Sequence, residues 1–189
     1  MSARESILNA ARRNAPSEHP LPESPVFPQP TALAESFITM SESIGARVVE
    51  VAASDVELAI REAYPDAERI ASAAPARFAS SIPLDGDPHE LATLELFVCE
   101  GILGVAENGA VWLPESRLPS RAAPFLASHV ALVLDRSTIV ATMHDAYRQL
   151  GAPDGFGVFV AGPSKTADIE QSLVIGAHGP VSLTLVLVA

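Results

Sequence analysis

The chain has 189 residues, enough for one domain of ordinary size with a buried core. Its hydrophobic content is 48 %, yet no unbroken apolar run reaches membrane length, so a soluble domain is expected. Twenty-three acids against twelve bases give a net charge of −11 with no basic cluster, which disfavours nucleic acid and anionic membranes as partners.

Residues 2–13 read as a short helix, with Ser2 and Glu5 in a capping-box pattern and Ile7, Leu8 and Ala11 on one thin apolar stripe. That stripe is too narrow to hold the helix alone, so it is expected to dock on the domain or on a partner. Residues 15–30 carry six prolines and predict an extended arm without regular structure. The domain therefore spans residues 31–189, preceded by an N-terminal helix and Pro-rich arm over residues 1–30. Leu33, Phe37, Met40 and Ile44 recur at helical spacing, and Gly45 is a natural stop. A strand follows at 47–51. Ser54 and Glu57 repeat the capping-box pattern before a helix that ends at Tyr64-Pro65. A weaker strand is expected at 68–73. Helix and strand alternate with short connections, the pattern of an α/β domain with a largely parallel sheet flanked by helices. Residues 94–98 resume the sheet and run on to 113, with Asn108-Gly109 as a hairpin signal between alternating apolar segments. A strand at 129–134, a helix over 139–150 stopped by Gly151, a buried strand at 156–161 and a last strand after Pro180 complete the reading.

The most informative stretch is 161–180. Gly162-Pro163 breaks the strand before it, and Ser164 or Thr166 is placed to cap a helix with Asp168 and Glu170 in its opening turns. Strand, glycine turn and helix start together can hold an anion on free backbone N–H groups. Lys165, beside them, is the only lysine in the chain. The spacer and second glycine of a Walker loop are missing. Read more plainly, the same residues only shape a turn and start a helix.

Gly162-Pro163-Ser164-Lys165-Thr166-Ala167-Asp168-Ile169-Glu170, followed by Gly176-Ala177-His178-Gly179-Pro180, resembles the signature of the LUD-domain family, in its LutC-like branch. The resemblance runs from about Thr31 to the last residue. It implies the NagB/RpiA/CoA-transferase-like fold and a part in oxidising L-lactate to pyruvate. It also implies partner proteins that carry iron–sulfur clusters; the small anionic ligand is the expectation of the glycine turn and Lys165. Glu107-Asn108-Gly109 falls where the family has an acidic residue, a small or polar one, and glycine. The tripeptide is also similar to the Ser-Glu-Asn-Gly motif of class I CoA-transferases, whose glutamate forms an acyl-thioester. Here Ala106 replaces the serine, and a second half-molecule is lacking. Glu107 is thus a candidate nucleophile, a candidate ligand contact, or a strand-end residue before a type I′ turn.

Cys99 is the only cysteine, so no internal disulfide is possible and a reducing cytoplasm is the expected setting. One thiolate cannot hold an iron–sulfur cluster, which takes about four; no cofactor is expected on this chain. Residues 1–14 lack the apolar core of a secretory signal. His19, His89, His129, His144 and His178 include no pair at zinc-ligand spacing, so no metal site is expected. His178 lies inside the signature, where it either donates to a ligand oxygen or caps a turn. No Gly-x-Ser-x-Gly elbow is present, and serine hydrolysis has no sequence support. The candidate ligand-binding residues are Glu107, Asn108, Gly109, Gly162, Ser164, Lys165, Thr166, Asp168 and His178. Three functions stay open: an accessory component of lactate utilisation, an enzyme acting on an acyl or phosphorylated small molecule, and an assembly subunit.

Overall fold

The computed structural model describes residues 2–16, 20, 22–23, 30–152, 155–166 and 173–189. Helix α1 (Ala3–Arg13) forms with the expected capping box: the Ser2 hydroxyl accepts from the Glu5 N–H and the Glu5 carboxylate accepts from the Ser2 N–H. None of its residues is buried, so the expected docking on the domain is not made. Most of the proline arm and His19 lie outside the described residues.

The domain is built on a five-stranded parallel sheet in the order β1-β11-β6-β3-β2. The strands are β1 (Arg47–Val51), β2 (Ile70–Ser72), β3 (Leu96–Glu100), β6 (His129–Asp135) and β11 (Ser182–Val188), and all neighbours run parallel. Because side chains alternate along a strand, β11 serves two cores. Leu183, Leu185 and Leu187 enter one core with Phe97, Leu132 and Phe37 of helix α2 (Leu33–Ser43). Val186 and Val188 enter the other with Val98, Val133 and Ile60 of helix α3 (Val56–Ala63). Each fully buried leucine contributes about 1.5–3 kcal/mol, and covering both faces explains why the central strands are nearly continuous aliphatic runs.

A second sheet packs over the α2 face. Its order is β7-β4-β5-β8, from β4 (Leu103–Val105), β5 (Ala110–Pro114), β7 (Ile139–Val140) and β8 (Gly157–Val160). Val111 and Leu113 point into the first core, which Ala123 of the short helix α4 (Ala123–Leu126) also joins, while Leu103, Val105 and Trp112 face outward under helix α5 (Met143–Leu150). Several expectations are corrected here. The run 94–113 is not one sheet: it leaves the parallel sheet after Glu100 and re-enters structure as a strand of the second. Ile139-Val140, expected to be helical, pair in parallel with β4 instead, and the helix starts only after the Thr142 cap. Strand β8 is half-buried at the edge and antiparallel to β5. The Gly162 turn therefore does not follow a parallel strand. Before α3, Ser54 bonds to the Asp55 carboxylate and makes no capping box.

Candidate functional site

The C-terminal end of α2 is where the motif segments meet. Gly45 (φ +92°) ends the helix: its N–H donates to Glu42 and the Ala46 N–H donates to Ser41, a Schellman closure that needs a left-handed residue. Over that end lie two loops far apart in sequence. A methyl group placed on Gly109 (φ +68°) would come within 2.9 Å of the Ser41 Oγ and 3.1 Å of the Ile44 Cδ1. One placed on Gly162 (φ +69°) would come within 2.8 Å of the Ile44 carbonyl oxygen. Both loops touch Ile44 only because they lack a Cβ there.

The loop from 106 to 109 joins β4 to β5 with four residues, since Val105 pairs with Ala110. The hairpin is as expected, but it is not the two-residue type I′ turn. Asn108 Oδ1 accepts from the Ala110 N–H, and the Gly109 N–H donates to the Val105 carbonyl. Glu107 is exposed, and its Oε2 accepts from the Met143 N–H at 2.8 Å, placing a carboxylate on the positive end of α5. It also borders an open groove of about 580 Å³ with Glu35, Ser36, Thr39, Met40 and Ser43 of α2.

The described part of the signature, residues 162–166 and 176–180, forms turns and a short strand. Lys165–Thr166 is a short strand, β9, antiparallel to β10 (Val174–Ile175). Ser164 precedes this strand and Thr166 lies within it, and the helix expected beyond them falls outside the described residues. Asp168 and Glu170 lie outside the described residues. The two halves of the signature are laced together: the Ser164 N–H donates to Pro180, the Gly176 N–H donates to Ser164, and Gly179 packs on the Ser164 side chain. His178 sits exposed in the closing turn. The Lys165 ammonium lies 3.5 Å from where a Gly45 Cβ would stand, over the last turn of α2. That end of a helix presents carbonyls and suits a cation, so Lys165 complements the α2 dipole.

One buried group here lacks a partner. The Ser41 hydroxyl, fully enclosed between α2 and Gly109, makes no hydrogen bond among the described residues. Cys99 is buried in the first core, where desolvation pushes its thiol well up, so it behaves as a packed apolar side chain.

A second polar constellation lies at the amino end of the parallel sheet, on its α3 side, and was not visible in the sequence. Ser182 Oγ and His129 Nδ1 are 2.8 Å apart on paired positions of β11 and β6, and the Tyr64 hydroxyl lies 3.3 Å from the same oxygen. The three residues belong to separate elements, so no spacing links them. The one local signal was Ser182 and Thr184, two polar residues on one face of an aliphatic strand.

Comparison with known proteins places this geometry in a family. The sequence profile of the LUD domain matches residues 85–188, which include both the Glu107 loop and the signature. Lactate utilization protein C of Shouchella clausii is 37 % identical over 90 residues, covering 44 % of this chain and 39 % of that protein. Lactate utilization protein C of Anoxybacillus flavithermus is 38 % identical over 87 residues, with the same shares. The alignment thus spans about two-fifths of the length of these curated relatives. Among solved structures, a DUF162 family protein from Deinococcus radiodurans superposes with a TM-score of 0.63 at 18 % identity, over 83 % of this chain and 96 % of that one. That likeness establishes the shared fold.

Proposed function

The chain belongs to the LUD-domain family, and on that premise we propose that it is a cytoplasmic component of an L-lactate utilisation system. Its own role is accessory: it binds a small carboxylate and works beside partner proteins that carry the iron–sulfur clusters. The observation that carries this reading is the convergence of the two family motifs on Ile44. Glycines 109 and 162, fifty-three positions apart, are both held against one residue at contact distances that a side chain would break. Lys165 brings one cation over that junction, Glu107 borders the adjoining groove, and Asn108, Ser164, Thr166 and His178 are the further polar residues of the two motifs proposed to contact the ligand.

The arrangement does not favour covalent acyl transfer at Glu107. A nucleophilic carboxylate must be free to attack, whereas one oxygen of Glu107 accepts a helix N-terminal N–H. Supplying an acyl-CoA followed by hydroxylamine should leave Glu107 unmodified by intact-mass measurement; an adduct there would replace this reading with the transferase one. The accessory role is tested by purifying the tagged chain from cells grown on L-lactate. Cysteine-rich iron–sulfur proteins should co-purify in a lactate-dependent manner, and recovery of the chain alone under gentle lysis would count against it.

A further inference from the structure

We propose that Ser182, His129 and Tyr64 form a second site, separate from the motif junction and independent of the lactate reading, that cleaves small uncharged acyl esters. It follows from how β11 meets its neighbours. Ser182 and Thr184 occupy the face of β11 that carries Val186 and Val188 further along, so the apolar stripe under α3 turns polar at its amino end. Tyr64, the residue that caps α3, reaches into this patch: its hydroxyl lies 2.8 Å from Thr184 Oγ1, 3.3 Å from Ser182 Oγ and 3.3 Å from the Val130 carbonyl. Thr184 is buried and is satisfied by Tyr64. Ser182 and His129 are half-exposed and border a cleft of about 470 Å³.

With its proton on Nε2, His129 accepts the Ser182 O–H at Nδ1, the polarity that activates a serine. The Glu95 carboxylate lies beside His129, and N–H donors of Arg69 and Glu68 hold it below the usual carboxylate range, so it stays charged at neutral pH. Ala63, Pro65 and Ala67 make a small-walled cleft that suits a short acyl chain. Its rim carries Asp66 and Glu95 and no lysine or arginine, so carboxylate and phosphate substrates are not favoured.

In the reaction, Ser182 Oγ bonds to the ester carbonyl carbon as its proton passes to His129 Nδ1. The carbonyl electron pair moves onto oxygen, which accepts from the Tyr64 hydroxyl that stands 3.3 Å from Ser182 Oγ. Collapse breaks the bond to the alcohol oxygen, which takes the proton from His129. Water then repeats the sequence and releases the acid, restoring Ser182 and His129.

The test treats the full chain with a fluorophosphonate probe, maps the adduct by peptide mass spectrometry, and follows p-nitrophenyl acetate hydrolysis in parallel. A single adduct on Ser182 is expected, with loss of label and turnover in Ser182→Ala. The His129→Gln variant should label roughly 100-fold more slowly, the scale of general-base assistance, and Ser54→Ala, on the surface, should label as wild type. No adduct on the wild-type chain, an adduct on another residue, or an unchanged rate in His129→Gln would overturn the proposal. The wild-type mapping decides the matter even if Ser182→Ala fails to fold.

Discussion

At the scale of single residues, the motif glycines make the sharpest claims. Gly162 combines a left-handed backbone with a carbonyl oxygen 2.8 Å from any added Cβ, and backbone is the one neighbour that cannot rotate away. Gly162→Val should therefore cost about 2–4 kcal/mol, the sum of backbone strain and overpacking; a denaturant titration measures it, and a cost near zero would mean the turn can flip. Ser41→Ala should act in the opposite direction. It removes a buried hydroxyl without a partner and puts a better helix former in α2, so a gain of about 1 kcal/mol is expected. A loss would show that the hydroxyl is bonded after all, through a bound water or a ligand. Lys165→Ala removes an exposed cation over the end of α2 and should cost no more than about 1 kcal/mol. This separates the lysine from the glycines, whose chief task is shape.

Among the elements, legibility followed the strength of the local signal. Helices α1 and α2, with a capping box or a stop glycine and clear apolar spacing, were readable, as were the three central strands, whose aliphatic runs admit little else. The second sheet was not. Ile139-Val140 continue into a helical pattern, and only pairing with β4 makes them a strand, so the deciding contact lies outside the local sequence. Likewise Thr166, a residue suited to a helix cap, stands in a short strand paired with Val174, a contact that the local sequence does not announce. The Glu107 loop shows how such long-range pieces support one another. Its carboxylate adds a cap to α5, already closed by the Thr142–Asp145 box. Glu107→Ala should cost about 1 kcal/mol in a thermal melt and Glu107→Gln less, because the amide oxygen still accepts. Equal and large losses would point to a role beyond the cap. Helix α1, with no buried residue, contributes nothing to the domain's core. Deleting residues 1–30 should leave the melting temperature within a few degrees of wild type, and failure to fold would place the arm in the core.

Across the whole molecule, several carboxylates are tuned together. Glu95 is held below the usual range by N–H groups of Arg69 and Glu68, and Glu115 by the Phe156 N–H and then Arg121. Asp135 is held down by the Ser137 hydroxyl and Asp145 by the Thr142 hydroxyl. A depressed carboxyl takes up a proton less readily folded than unfolded. Its stabilisation is complete above the ordinary carboxylate values near ~4 and is lost as pH falls through the lowered folded values. Thermal stability should thus hold steady from neutral pH to about 5 and decline below about 4, with a shallower decline in Glu95→Gln; an unchanged slope in that variant would remove Glu95 from the account. The candidate site was half legible in the same sense. Gly109 and Gly162 stood out in sequence, but Ser41 and Ile44, which bring them together, are ordinary helix residues whose importance arises only from packing. The function proposed for that junction rests on family membership joined to this convergence, and growth tests it most directly. A strain deleted for this gene should grow normally on glucose and fail on L-lactate as sole carbon source, and the wild-type gene should restore growth. Unimpaired growth of the deletion strain on L-lactate would contradict the account.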